Sequence, residues 1–237
     1  MRVRLPLGRT LFFLCAFFFA IVALLPLRFA VTTLGLDRGG FAAREVEGSI
    51  WTGLFREAQW NGSVLGDLRA RLATLPLLAG RARVELRGTA DAPALDGALV
   101  ATRHTLGIAD MTARIAAPGF LAPLPIASLD LTGLDASFSD AGCLSAKGGV
   151  AATFAPNAGL PLAAAFSGTA RCEGSALLLP LRSPDGAQTA EIRLHPDGRY
   201  AVRLTLLASR GASDAALAAA GFVSTNGGYI IDRQGRF

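Results

Sequence analysis

Residues 190–206 read AEIRLHPDGRYAVRLTL, and their alternation decides the fold. Ile192 and Leu194 alternate with Glu191, Arg193 and His195. Tyr200, Val202, Leu204 and Leu206 alternate on the way back. Period two is the spacing of a strand with one dry and one wet face. Between the runs stands Pro196-Asp197-Gly198. Its glycine supplies the positive φ that a tight hairpin turn needs, and its proline marks where the first strand stops pairing. The stretch predicts an antiparallel hairpin.

The same pattern recurs through the chain. Arg81-Ala82-Arg83-Val84-Glu85-Leu86-Arg87 alternates charged and apolar residues, as do Leu68–Leu72 and Asp110–Ile115, and Leu129 and Leu131 continue it. Turn signals at Asn61-Gly62, Asp96-Gly97, Pro118-Gly119, Gly148-Gly149, Pro184-Asp185-Gly186 and Asn226-Gly227-Gly228 punctuate it. Their spacing of about 10 to 20 residues fits an antiparallel meander better than βαβ units. The predicted fold is mainly β: a single antiparallel domain, either one curved sheet or a loose sandwich, with little helix. A short helix is predicted over Asp214–Ala220, capped by Ser213 and closed by Gly221, and a brief turn over Leu75–Leu78.

The N-terminus is different. Residues 10–27 are almost wholly apolar and follow Arg2, Arg4 and Arg9. A helix of about 18 residues rises roughly 27 Å, near the thickness of a bilayer's hydrocarbon core. The arginines predict that this end stays in the cytoplasm. The expected organisation is a basic cytoplasmic segment at 1–9, a transmembrane helix at 10–27, a connection at 28–44 and a periplasmic β domain at 45–237. A cleaved signal peptide is the competing reading. Its apolar centre is normally about 7 to 15 residues and ends at small residues. Here the exit is Leu27-Arg28-Phe29-Ala30, and Phe13 and Leu14 precede Cys15 where a lipoprotein site needs small residues.

Composition excludes other classes. Hydrophobic content of 51% with 17% charged residues makes the exported part globular. Of the net charge of +5, three units are the arginines before the apolar run, and +2 remains on residues 10–237. No basic block follows, so nucleic acid is not an expected partner. Cys143 and Cys172 form an even pair in an oxidising compartment. A disulfide is the natural assignment, with two buried thiols as the alternative.

No catalytic signature is present. His104 and His195 lie far apart in strand-like alternation, and no His or Cys spacing offers a metal site. Asp130, Asp135 and Asp140 read as strand edges and turns, not as a paired-carboxylate site. No cofactor is expected. Trp51 and Trp60 are the candidate interaction residues, near the start of the exported part. Their bland reading is packing of the first hairpin, and their functional one is a protein-contact patch close to the membrane.

The order of short motifs resembles one family. Glu45-Val46-Glu47-Gly48-Ser49-Ile50-Trp51-Thr52-Gly53 follows the apolar run, then Leu65-Gly66-Asp67-Leu68 and Leu75-Pro76-Leu77-Leu78-Ala79-Gly80. The cysteine pair, Leu179-Pro180-Leu181 and Asp197-Gly198-Arg199-Tyr200 come later. The chain closes with Gly221-Phe222, Gly227-Gly228-Tyr229 and Gly235-Arg236-Phe237. This resembles the N subunit of the bacterial type II secretion system, over nearly the whole chain. It departs at Arg69–Leu72, where a tryptophan commonly follows the leucine-glycine strand. The resemblance implies a single-pass inner-membrane protein with a mainly β periplasmic domain and no enzymatic activity. Its implied partners are other inner-membrane components of the apparatus. An alternative of a different class is a lipid-binding or lipid-transfer groove, and the two separate on whether the apolar face is an open trough or a filled core.

Overall fold

The computed structural model describes residues 7–29, 40–60, 62–89, 94–116, 126–155, 162–207 and 214–236. Helix α1 (Leu7–Ala23) precedes strands β1 (Phe41–Ala42), β2 (Glu45–Gly48), β3 (Thr52–Trp60) and β4 (Ser63–Leu72). Then come α2 (Thr74–Leu78), β5 (Ala82–Gly88), β6 (Leu95–Ala101), β7 (Thr105–Ala116), β8 (Ile126–Ser139) and β9 (Gly142–Phe154). The rest is β10 (Ala165–Thr169), β11 (Arg171–Glu173), β12 (Ala176–Arg182), β13 (Gln188–Leu194), β14 (Arg199–Leu207), α3 (Asp214–Ala219), β15 (Val223–Thr225) and β16 (Gly228–Arg236).

These strands form one antiparallel sheet in nearly sequential order, from β1 and β2 beside β3 to β16 and β15. Of the two predicted architectures, the single sheet is the one found. The decisive hairpin is formed, with Ile192 opposite Val202 and Leu194 opposite Tyr200. Gly198 turns it at φ 82°. Asn61, Pro118, Gly119, Ser213 and Phe237 lie outside the described residues.

Alternation sorts the side chains onto two faces. The apolar face gathers a large core between β7 and β16, in which Phe166, Leu181, Leu204 and Leu217 are fully buried. The rings of Phe154 and Phe166 meet there at 4.8 Å. Helix α3 contributes Leu217 to it. Gly221, at φ 88°, closes that helix, and the Gly221 and Phe222 N–H groups donate to the Ala218 and Leu217 carbonyls.

The ladder is interrupted at several places, and two of its bulges, in β3 at Glu57 and in β7 at Asp110, carry a non-glycine residue at φ 49°. Each left-handed N–H is held by a carboxylate of the next strand. Glu57 donates to Asp67 at 2.8 Å, and Asp110 donates to Asp135 at 3.2 Å. An L-residue in that conformation costs about 1–2 kcal/mol, which these bonds offset.

Among the described residues no helix is long and apolar enough to cross a membrane. The helix read over 10–27 starts earlier and stops at Ala23, because Pro26 forces the residue before it out of helical geometry. The chain then joins the sheet at once. Pro26 bridges to Ser49, and the Ile50 N–H donates to the Leu25 carbonyl at 3.1 Å. Leu27 is buried in a second, smaller core with Phe55, Ala58, Leu68 and Ala70. It lies over Gly53, where any Cβ would overlap it.

Candidate interaction surface

The segment 45–53 builds a latch, and each residue type has a physical task. Gly48 adopts φ 88° to start the turn between β2 and β3. The Ser49 hydroxyl accepts from the Trp51 and Thr52 N–H groups at 3.3 and 3.4 Å. Ser49 and Ile50 hold the chain leaving α1. The Trp51 carbonyl accepts the Leu72 N–H at 3.2 Å, which ties the turn to the end of β4. Gly53 leaves room for Leu27.

Trp51 and Trp60 are both half-buried. Trp51 sits in the β2–β3 turn, and Trp60 ends β3 opposite Phe41 and Ser63. Nine residues of strand separate them by roughly 30 Å, so the structure does not bring them into one patch.

The polar face of β2–β5 forms an open groove of about 540 Å³, lined by Glu47, Leu54, Arg69, Arg71, Glu85 and Arg87 among others. Arg69 stands directly opposite Arg87, a like-charge pair that destabilises a ladder. Arg87 is drawn to Asp96 at 3.3 Å. Arg69 and Arg71 have no ion-pair partner among the described residues. Arg56, in contrast, gathers Glu47, Glu45 and Asp67 at 3.4, 3.7 and 3.9 Å.

Elsewhere the charges are structural. Arg203 binds Asp232 through two hydrogen bonds of 2.7 and 3.1 Å on facing positions of β14 and β16. That bonding holds the Asp232 carboxyl below its ordinary pKa. Arg193 bonds Glu173 at 2.7 Å and Glu191 at 3.0 Å, which raises its pKa. The Tyr229 hydroxyl donates to Asp214 at the start of α3, which raises the phenol above its usual value.

The residues weighed for chemistry disperse. Asp130 pairs with Arg114, and Asp135 with Lys147 at 3.5 Å. Asp140 lies in the β8–β9 turn. His104 does not continue a strand: it sits in the β6–β7 turn, where Thr102 and Thr105 hydrogen-bond to each other and its N–H donates to Thr102. His195 begins the turn after β13. No cluster of three metal-ligating side chains occurs among the described residues.

Cys143 and Cys172 are joined in a disulfide with Cα atoms 5.7 Å apart. It links β9 to β11, which among the described residues pairs only with β12. The edge of the sheet is a feature that alternation does not reveal. β15 covers β16 only from Gly228 to Ile230. Among the described residues no strand pairs with Ile231–Arg236 on the side away from β14.

No curated protein and no solved structure matches the chain. The family model for type II secretion system (T2SS), protein N, matches residues 39–232, from just before β1 into β16. The chain belongs to the type II secretion system protein N family.

Proposed function

We propose that this chain is a non-enzymatic subunit of the type II secretion apparatus, held at the bacterial inner membrane by α1 and acting through protein contacts in the periplasm. The family match over residues 39–232, nearly the whole sheet, carries this reading. The helix supports the membrane part. Leu11, Phe12, Phe13, Leu14, Phe17, Phe18 and Phe19 are all well exposed around α1. A helix apolar on every side belongs in a nonpolar medium. Its 17 residues rise about 25 Å, a few ångström short of a hydrocarbon core of roughly 30 Å, and the apolar sequence continues past its end to Leu27. Arg2, Arg4 and Arg9 would hold its start in the cytoplasm. The Cys143–Cys172 bridge suits residues 45–237 to an oxidising compartment.

The free edge of β16 is the contact geometry we assign to partners, since an unpaired strand edge accepts a strand from another chain. Trp51, in the latch, is the second contact residue. The filled core between β7 and β16 favours this reading over a lipid-carrying groove along the whole sheet.

A photo-crosslinking residue at Gln234, on the exposed edge, tests the reading in secreting cells. Adducts with other inner-membrane components of the apparatus are expected, and none from a probe at Thr189 inside the sheet. Normal secretion without this chain, together with no adduct at Gln234, would refute it. Trp51→Ala should reduce secretion more than it reduces folded protein. Equal losses would return Trp51 to a packing role.

A further inference from the structure

Helix α2 is made of Thr74-Leu75-Pro76-Leu77-Leu78 and buries none of its residues. Leu75 and Leu78 are 79% and 88% exposed. An apolar tip with nothing over it is costly in water, by roughly 25 cal/mol per Å² of apolar surface. Its backbone is nevertheless well tied. The Ala73 N–H donates to the Arg83 carbonyl at 2.8 Å, and Pro76 O accepts from Ala79 and Arg81 at 3.0 Å. The leucines are therefore presented by an ordered loop.

The loop's place in the sheet says what covers it. Leu72, just before α2, is bonded to Trp51 in the latch, and the latch holds Leu25 and Pro26 immediately after α1. Tip and apolar helix thus leave the sheet at the same end. Register carries the apolar character along that end. Leu72, Val84, Leu99 and Ile108 form one cross-strand row, and Ala101 and Leu106 the next. Leu99 and Leu106 are 42% and 64% exposed.

Charge points the same way. Arg71, Arg81, Arg83 and Arg103 flank the tip and the neighbouring β6–β7 turn, and none has an ion-pair partner among the described residues. The acids at this end are Glu47, Asp140 and Glu85, which faces Arg71 across β4 and β5 without an ion pair, so the arginines remain in excess. Leucines backed by unpaired arginines match the profile of an anionic bilayer: acyl chains beneath, phosphates above.

We infer that α2 dips into the outer leaflet of the membrane that holds α1, with Leu75 and Leu78 among the acyl chains and the flanking arginines at anionic phospholipid headgroups. The occupant is lipid, and the sheet stands on its β4–β5 end. This rests on α1 being membrane-held.

The test uses the full chain carrying Cys15→Ala, reconstituted in vesicles of phosphatidylcholine and phosphatidylglycerol with brominated acyl chains. An environment-sensitive dye is attached at Ala79→Cys, beside the leucines, or at Val64→Cys, at the far end of β4. Flotation after alkaline carbonate reads the anchor separately. A blue shift and loss of emission at position 79 but not at 64, abolished by Leu75→Ser with Leu78→Ser, is expected. Chain that floats after carbonate with position 79 unquenched overturns the inference and leaves the anchor standing. Chain released by carbonate overturns the anchor instead. Quenching that survives the double serine change also overturns the inference. So does a blue shift seen only in native membranes and never quenched by lipid, which would mark a protein partner over the tip.

Discussion

Replacing both bridging cysteines, Cys143→Ser with Cys172→Ser, isolates what the disulfide contributes. The two residues are 29 apart in sequence. For a loop of that length the chain-entropy relation gives a loss of about 12 cal/mol/K, or about 3.6 kcal/mol at 25 °C. The bond acts by restricting the unfolded chain, and in the folded chain it joins segments with few ladder bonds between them. β10 pairs with β9 only at Gly149–Thr153, so Cys143–Gly148 have no ladder on that side. Two backbone bonds tie the region: Cys143 N–H to Ser175 O at 2.9 Å and Ala170 N–H to Gly148 O at 3.0 Å. With a urea m-value of about 3 kcal/mol/M, the midpoint should fall by about 1 M. The melting temperature should fall by about 7–14 °C at roughly 2–4 °C per kcal/mol. Urea unfolding of the detergent-solubilised full chain, followed by circular dichroism with and without reductant, reads this directly. Reduced wild type should match the double variant. Coincident midpoints for all three would refute the reasoning, because the loop would then be equally constrained without the bond.

Other outcomes follow from packing and titration. Leu27→Ala should cost about 2–3 kcal/mol from lost burial and the cavity over Gly53, and hydrogen exchange should speed up at Ile50. Phe166→Ala removes a fully buried ring from the main core and should cost about 3–5 kcal/mol in chemical unfolding. Asp67→Ala leaves the left-handed Glu57 N–H without its acceptor and should destabilise by about 1–2 kcal/mol, while Asp67→Asn retains an oxygen and should lose less. Asp232 has a depressed pKa in the folded chain, so its stabilisation is complete above the unfolded value near about pH 4 and is lost as pH falls through the lower folded value. Melting temperatures measured down to about pH 2 should drop less steeply for Asp232→Asn.

Alternation made the strands legible because a half-buried sheet leaves its signature at every second residue. Arg81–Arg87 lies in β5 and its approach, Leu68–Leu72 in β4, and Asp110–Ile115 in β7. The end of α1 was harder to place. Apolarity continues to Leu27, but Pro26 stops the helix, and Leu27 finds a burial site only because a glycine 26 positions later lacks a Cβ. Such a fit is a long-range coincidence of shapes that no local window records. The bulges at Glu57 and Asp110 were hidden for a related reason: their partners, Asp67 and Asp135, are on the next strand. Period-two reading also treated His104 as strand, where the Thr102–Thr105 bond makes a turn. For the surface, the tryptophans drew notice by size. The free run of β16 and the bare leucines of α2 fall within short motifs that say nothing of exposure, since exposure follows from what neighbouring strands fail to cover.

The chain is seized at Leu25, two residues after α1 ends, which leaves almost no slack between rod and plate. A body on a loose tether could swivel independently of its stem, whereas here Leu25 and Pro26 are bonded directly to the β2–β3 turn. Tilting or rotating the stem must drag the β2–β3 turn, and through Leu72 the whole row of strands beyond it. Any force applied to the helix would thus be felt as leverage at the β2–β3 turn.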